Sequence, residues 1–124
     1  YQAALLSLLA TSVISVERLR TLHDLARRNL DAGNAKRSAL RLVLGDGRHG
    51  HPPNAPYDSI IAAAVGDDVP QAWMDQLAVG GRLVMPQHVG ASQVLVVIDR
   101  HERGVVRSEH EAVRFVPLES GVIV

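Results

Sequence analysis

Gly45 to Pro86 reads GDGRHGHPPNAPYDSIIAAAVGDDVPQAWMDQLAVGGRLVMP, and the order of elements in this stretch decides the architecture. DSIIAAAV, Asp58 to Val65, is a short apolar run with β-branched residues, bounded by Pro56 and Gly66. RLVMP, Arg82 to Pro86, is another, entered through Gly80-Gly81. Both have the length and composition of strands. Between them Val69, Trp73, Met74 and Leu77 recur at helical spacing. Pro70 suits a first helical turn, where its missing N–H costs nothing, and Gly80 suits the exit, where a left-handed residue is often needed. Strand, helix and strand in that order predict a parallel pair.

Working outward, the same pattern extends upstream. A helix is predicted from Tyr1 to Ala10, with Ala4, Leu5, Leu8 and Leu9 as its apolar stripe, then a strand from Ser12 to Val16. A charged helix follows from about Arg18 to Ala32, with Leu19, Leu22, Leu25, Ala26 and Leu30 facing inward and Gly33-Asn34 ending it. Leu40 to Leu44, Asp58 to Ala63 and Arg82 to Met85 read as the next strands, apolar enough for a sheet covered on both faces. Beyond Pro86 the pattern changes. Gln93 to Arg100 and Val105 to Leu118 are strand-like and joined by the polar turn His101-Glu102-Arg103-Gly104, which predicts an antiparallel hairpin.

Composition narrows the possibilities. At 124 residues the chain is a single domain, 1–124, long enough for a real core. Thirteen basic and thirteen acidic side chains balance, so no net field favours nucleic acid or an anionic membrane. There is no cysteine, which excludes disulfides and thiolate chemistry within these residues and fits a reducing compartment. No apolar stretch approaches the ~18 residues of a membrane span, so the expectation is a soluble, cytoplasmic protein.

Glu17 is the leading candidate for a binding role. It ends one strand and begins the next helix, placing its carboxylate at the crevice where doubly wound sheets hold a ribose. The competing explanation is a favourable acid at a helix N-terminus. Asp46 and Gly47 follow the Leu40 to Leu44 strand, and Gly-Asp-Gly is also common turn chemistry. Ala62 to Ala64 are small enough for a cofactor to approach, or simply to pack against a helix. His49 and His51 lack a third ligand at suitable spacing, so no metal site is expected. His88, His101 and His110 have no recognisable partners, and Trp73 and Phe115 are expected in the core. No Ser-His-Asp, Cys-His or paired-carboxylate arrangement is visible, and no catalytic residue is assigned.

Five segments carry a family resemblance: YQAALLSLLA at Tyr1 to Ala10, SVISVERL at Ser12 to Leu19, GDG at Gly45 to Gly47 with the APYDSIIAAA that follows, LAVGGRLVMP at Leu77 to Pro86, and EAVRFVPL at Glu111 to Leu118. In order and spacing they resemble the protein-L-isoaspartate O-methyltransferases, with EAVRFVPL the most specific of the five. The resemblance implies an α/β, Rossmann-like methyltransferase sheet, mostly parallel with a C-terminal antiparallel hairpin. It also implies a domain truncated at its N-terminus, without the first strand, the glycine-rich loop that Tyr1 would close, and a serine-containing substrate segment. That strand would lie between Ser12 to Val16 and Asp58 to Ala63, leaving two bare edges, so the chain alone is expected to be unstable or prone to aggregate.

The implied cofactor is S-adenosyl-L-methionine, bound by Glu17 at the ribose, Asp46 and Gly47 at the adenine, and Tyr1. The implied substrates are isoaspartyl-containing or D-aspartyl-containing proteins and peptides, methylated on a free carboxylate as a repair reaction. AAAVGDDVP departs from the family's usual Thr-Ala-Ala-Pro flavour on the substrate side. A non-catalytic relative is the alternative of a different class. A nicotinamide-dependent dehydrogenase shares the acid after a strand, but the hairpin and EAVRFVPL argue against it.

Overall fold

A computed structural model describes residues 2–32 and 39–124. The end of the second helix predicted at Gly33-Asn34, and Tyr1, lie outside the described residues. The chain forms two compact units, one of Tyr1–Gly47 with Ser120–Val124 and one of Arg48–Glu119.

The first unit is a strand-helix-strand crossover. Helix α1 spans Gln2–Leu9, strand β1 Val13–Glu17, helix α2 Arg20–Ala32 and strand β2 Leu40–Leu44. β1 and β2 pair in parallel from Val13 opposite Leu40 to Glu17 opposite Leu44. The Gly45 N–H donates to the Glu17 carbonyl at 2.9 Å, adding a bond just past the last pair. Leu30, Ala39 and Leu40 are buried. The predicted helix stripes are less covered than their spacing implied: Leu5, Leu8 and Leu9 of α1 and Leu22 and Leu25 of α2 are all exposed. Leu22 and Leu25 line a groove of about 390 Å³ together with Ala3, Ala4 and Leu42, where the helices meet the sheet without filling the space; Leu5, Leu8 and Leu9 lie outside that lining.

The second unit is built on β5. Its strands are β3 Tyr57–Ile61, β4 Ala64–Val65, β5 Leu77–Val89, β6 Ser92–His101, β7 Gly104–Ala112 and β8 Val116–Pro117, with helix α3 at Gln71–Gln76. The main sheet has the order β3-β5-β6-β7, in which β3 and β5 are parallel and the other pairs antiparallel, while β4 and β8 form a separate parallel pair. Trp73, Leu77, Leu83, Met85, Val96 and Ile98 make the core. On the surface Arg82 and Asp99 sit opposite one another on β5 and β6 and join through two hydrogen bonds of 2.7 and 3.1 Å. That pairing raises the Arg82 pKa and holds the Asp99 carboxyl below its ordinary value.

Four sequence expectations differ from the structure. The helical pattern through Leu77 stops at Gln76: Leu77 already has extended backbone and opens β5. Between the pairs Tyr57–Leu77 and Ser59–Arg82 the register shifts, and Ala78 to Gly81 take up the excess. Gly80 has the left-handed backbone expected of it, φ +83°, but inside β5 rather than at a helix exit, and a Cβ at Gly81 would stand 2.8 Å from the Ala78 carbonyl oxygen and 2.9 Å from that of Asp58.

β5 also continues beyond Met85, through Pro86 to Val89. The β3 ladder has ended at Ile61 opposite Val84, and the Pro86 carbonyl accepts from Gly66 on that side, so the missing N–H removes no β6 ladder bond. Finally, the run Val105 to Leu118 is not one strand. β7 ends at Ala112 opposite Val94; the Val113 N–H still donates to the Gln93 carbonyl at 3.0 Å and the Phe115 N–H to the Gln93 side-chain oxygen at 2.7 Å, and Val116 crosses to pair with Ala64. Phe115 lies in that crossing, 37% exposed rather than in the core, while Trp73 is buried as expected.

Candidate functional site

The carboxyl ends of β1 and β2 bring together Glu17, Asp46 and Gly47. Parallel pairing places Glu17 beside Leu44, and the Gly45 N–H to Glu17 carbonyl bond sets Asp46 one residue beyond that contact. Both carboxylates are therefore on one rim of one sheet, each half-buried. The Glu17 side chain turns toward the start of α2, where its Oε2 accepts from the Arg18 N–H at 2.8 Å and more weakly from that of Leu19 at 3.4 Å. Oε1 takes no hydrogen bond among the described residues. The helix-end explanation and a ligand role are thus compatible, one oxygen serving each.

Asp46 is held by the returning tail. Its Oδ2 accepts from the Gly121 N–H at 2.9 Å. The tail is itself fixed to the β1–α2 turn: the Ile123 N–H donates to the Arg18 carbonyl and the Arg20 N–H to the Ile123 carbonyl, each at 2.8 Å. Sequence reasoning missed this segment, because Ser120 to Val124 follow EAVRFVPL and carry no motif of their own.

The remaining candidates fall in the second unit. Gln76, buried on α3, accepts from the His51 N–H and donates to the His49 carbonyl, each at 2.9 Å, so the loop of His49 and His51 is held through its backbone. The Tyr57 hydroxyl donates to the His51 carbonyl. No group of three metal-ligating side chains occurs among the described residues. Ala62 packs against the core cluster, as an ordinary strand-end alanine would.

As a set of acceptors, the β1–β2 rim could hold a nucleoside. Carboxylates accept from ribose hydroxyls and from an exocyclic amine, and a glycine-flanked Asp46 leaves backbone open to a flat ring. A family model described as protein-L-isoaspartate(D-aspartate) O-methyltransferase matches residues 1–122. The chain belongs to that family. Among its relatives, the protein-L-isoaspartate O-methyltransferases of Methylibium petroleiphilum and Leptothrix cholodnii are 64% and 60% identical over 98% of this chain. The chain spans 45% and 43% of their lengths, so it corresponds to about half of such a methyltransferase.

Solved structures of the family agree in fold. A protein-L-isoaspartate O-methyltransferase structure superposes with a TM-score of 0.79 and 28% identity over 90% of this chain and 35% of that one. One from Plasmodium falciparum, in complex with S-adenosyl-L-homocysteine, superposes with a TM-score of 0.76 at 22% identity over 87% of this chain and 52% of that one. The α/β methyltransferase fold expected from the sequence is therefore the fold of the family to which this chain belongs.

Proposed function

We propose that the full-length protein is an S-adenosylmethionine-dependent protein-L-isoaspartate O-methyltransferase that methylates the free carboxylate of isoaspartyl or D-aspartyl residues in damaged proteins. The observation that carries this reading is the placement of Glu17 and Asp46 on one rim of a parallel pair. Family membership supports it, and so do the names of relatives at 48–64% identity.

When bound, S-adenosylmethionine supplies an electrophilic methyl group on a sulfonium sulfur. Glu17 accepts from the ribose hydroxyls through the oxygen that α2 does not use, Asp46 accepts from the adenine amine, and Gly47 leaves space beside the ring. Tyr1 is proposed to close the same pocket. The substrate carboxylate has an ordinary pKa of about 4 and is ionised at neutral pH, so no side chain has to remove a proton. Residues of this chain bind and orient. No helix among the described residues is long and apolar enough to cross a membrane, and the balanced charge gives no pull toward nucleic acid; we propose a cytoplasmic location.

Incubation of the full-length protein with labelled S-adenosylmethionine and an isoaspartyl peptide, beside its normal-aspartyl counterpart, is expected to label only the first. Equal labelling of both, or of neither, removes the repair assignment.

A further inference from the structure

The geometry points to Arg18 as a positioning residue that straps the Ser120–Gly121 segment across the rim of β1 and β2, so that the Gly121 N–H holds Asp46 for the nucleoside. The inference rests on the nucleoside reading above. Arg18 reaches the tail by both its side chain and its backbone. Its Nε donates to the Gly121 carbonyl at 3.1 Å and a terminal guanidinium nitrogen to the Ser120 carbonyl at 3.3 Å, while its own carbonyl accepts from Ile123 at 2.8 Å. On its other side the Arg18 N–H donates to Glu17 Oε2 at 2.8 Å. Arg18 therefore joins Glu17 directly and Asp46 through Gly121.

A guanidinium suits this task because its fixed fork can serve adjacent carbonyls at once. Gly121 suits it because its φ of +83° lies in the left-handed region, which turns the amide toward Asp46 at a cost other residues would feel. A charge-assisted bond from that amide restrains the Asp46 carboxylate before a ligand arrives, and such preorganisation lowers the cost of binding. Without the strap, the segment keeps its backbone bonds through Ile123 and the Gly121 N–H bond to Asp46 but loses the two guanidinium bonds that fix the Gly121 amide.

The test uses the full-length protein titrated with S-adenosylhomocysteine by calorimetry. Arg18→Ala is expected to raise Kd by roughly tenfold, equivalent to one charge-assisted contact. In an Asp46→Asn background the same change is expected to raise it by less than about threefold, because the effect runs through Asp46. Exchange of the Gly121 amide in ligand-free protein should speed up in Arg18→Ala, and KM should rise for S-adenosylmethionine but not for the isoaspartyl peptide. A structural role alone would not produce that split. Arg18→Lys keeps the charge but not the fork, and should fall between wild type and alanine; it carries the test should the alanine variant fail to fold. Unchanged affinity in both Glu17→Ala and Asp46→Asn would remove the nucleoside reading itself. Losses in those two with Arg18→Ala within twofold of wild type, or with Arg18 and Asp46 effects that simply multiply, would remove only the positioning role.

Discussion

Glu17→Ala in the full-length protein is expected to lower affinity for S-adenosylhomocysteine by roughly ten- to hundredfold. The magnitude follows from losing charged hydrogen bonds worth about 1.5–3 kcal/mol. Because Oε2 also accepts from the first free N–H groups before α2, the alanine variant loses a helix-end contact as well, and some fall in melting temperature is expected. Glu17→Gln separates the two effects. It retains a carbonyl oxygen for the Arg18 N–H but presents NH2 donors where ribose hydroxyls need an acceptor, so affinity falls with little change in melting temperature. Calorimetric titration beside a thermal melt reads both quantities. Affinity within twofold of wild type in Glu17→Ala would refute the ribose role.

The largest stability effect is expected at Leu83. It is completely buried in β5, opposite Ile60 on β3 and Ile98 on β6, so its side chain is enclosed by strands on both sides and by the core around Trp73 and Leu77. Leu83→Ala removes buried methyl groups and leaves a cavity that two flanking ladders cannot collapse, a change that costs about 3–5 kcal/mol in such sites. Against a typical domain stability of about 5–15 kcal/mol this is a large fraction. Val106→Ala on β7, where the side chain is 57% exposed, should change stability by less than about 0.5 kcal/mol. Urea denaturation of the full-length protein checks the pair. A loss below about 1 kcal/mol at Leu83 would mean that β5 is not central to this core.

Much of this arrangement is legible from the sequence because the deciding signals are local. Apolar runs at Ser12 to Val16 and Leu40 to Leu44, separated by a charged amphipathic segment, specify β1, α2 and β2, and with them the rim that carries Glu17 and Asp46. The hairpin of β6 and β7 is equally plain from its polar turn at His101 to Gly104. What the sequence concealed depends on partners distant along the chain. Leu77 continues a helical stripe by spacing, yet pairing with Tyr57 draws it into a strand. Val113 to Phe115 continue a strand by composition, yet the ladder ends at Ala112, the Phe115 N–H turns to the Gln93 side chain and Val116 pairs with Ala64 instead. The apolar stripes of α1 and α2 predict burial, but spacing cannot tell how closely a helix approaches its sheet, and the groove beside Leu22 and Leu25 is the result.

The candidate site divides along the same line. Glu17 could be found from its position at a strand's end, and Asp46 from its glycine neighbours. The Gly121 contact could not, because it joins residues 75 positions apart through a backbone amide that any sequence would supply. Among the described residues, β1 and β3 each pair with one strand in their own sheets.

The most direct test of the account is hydrogen–deuterium exchange of the full-length protein with and without S-adenosylhomocysteine. Slowed exchange is expected in peptides covering Val16 to Leu19, Gly45 to Gly47 and Ser120 to Ile123, with the β6–β7 hairpin unchanged. Slowing that spares all three segments while the nucleoside binds would contradict the placement of its site at the ends of β1 and β2.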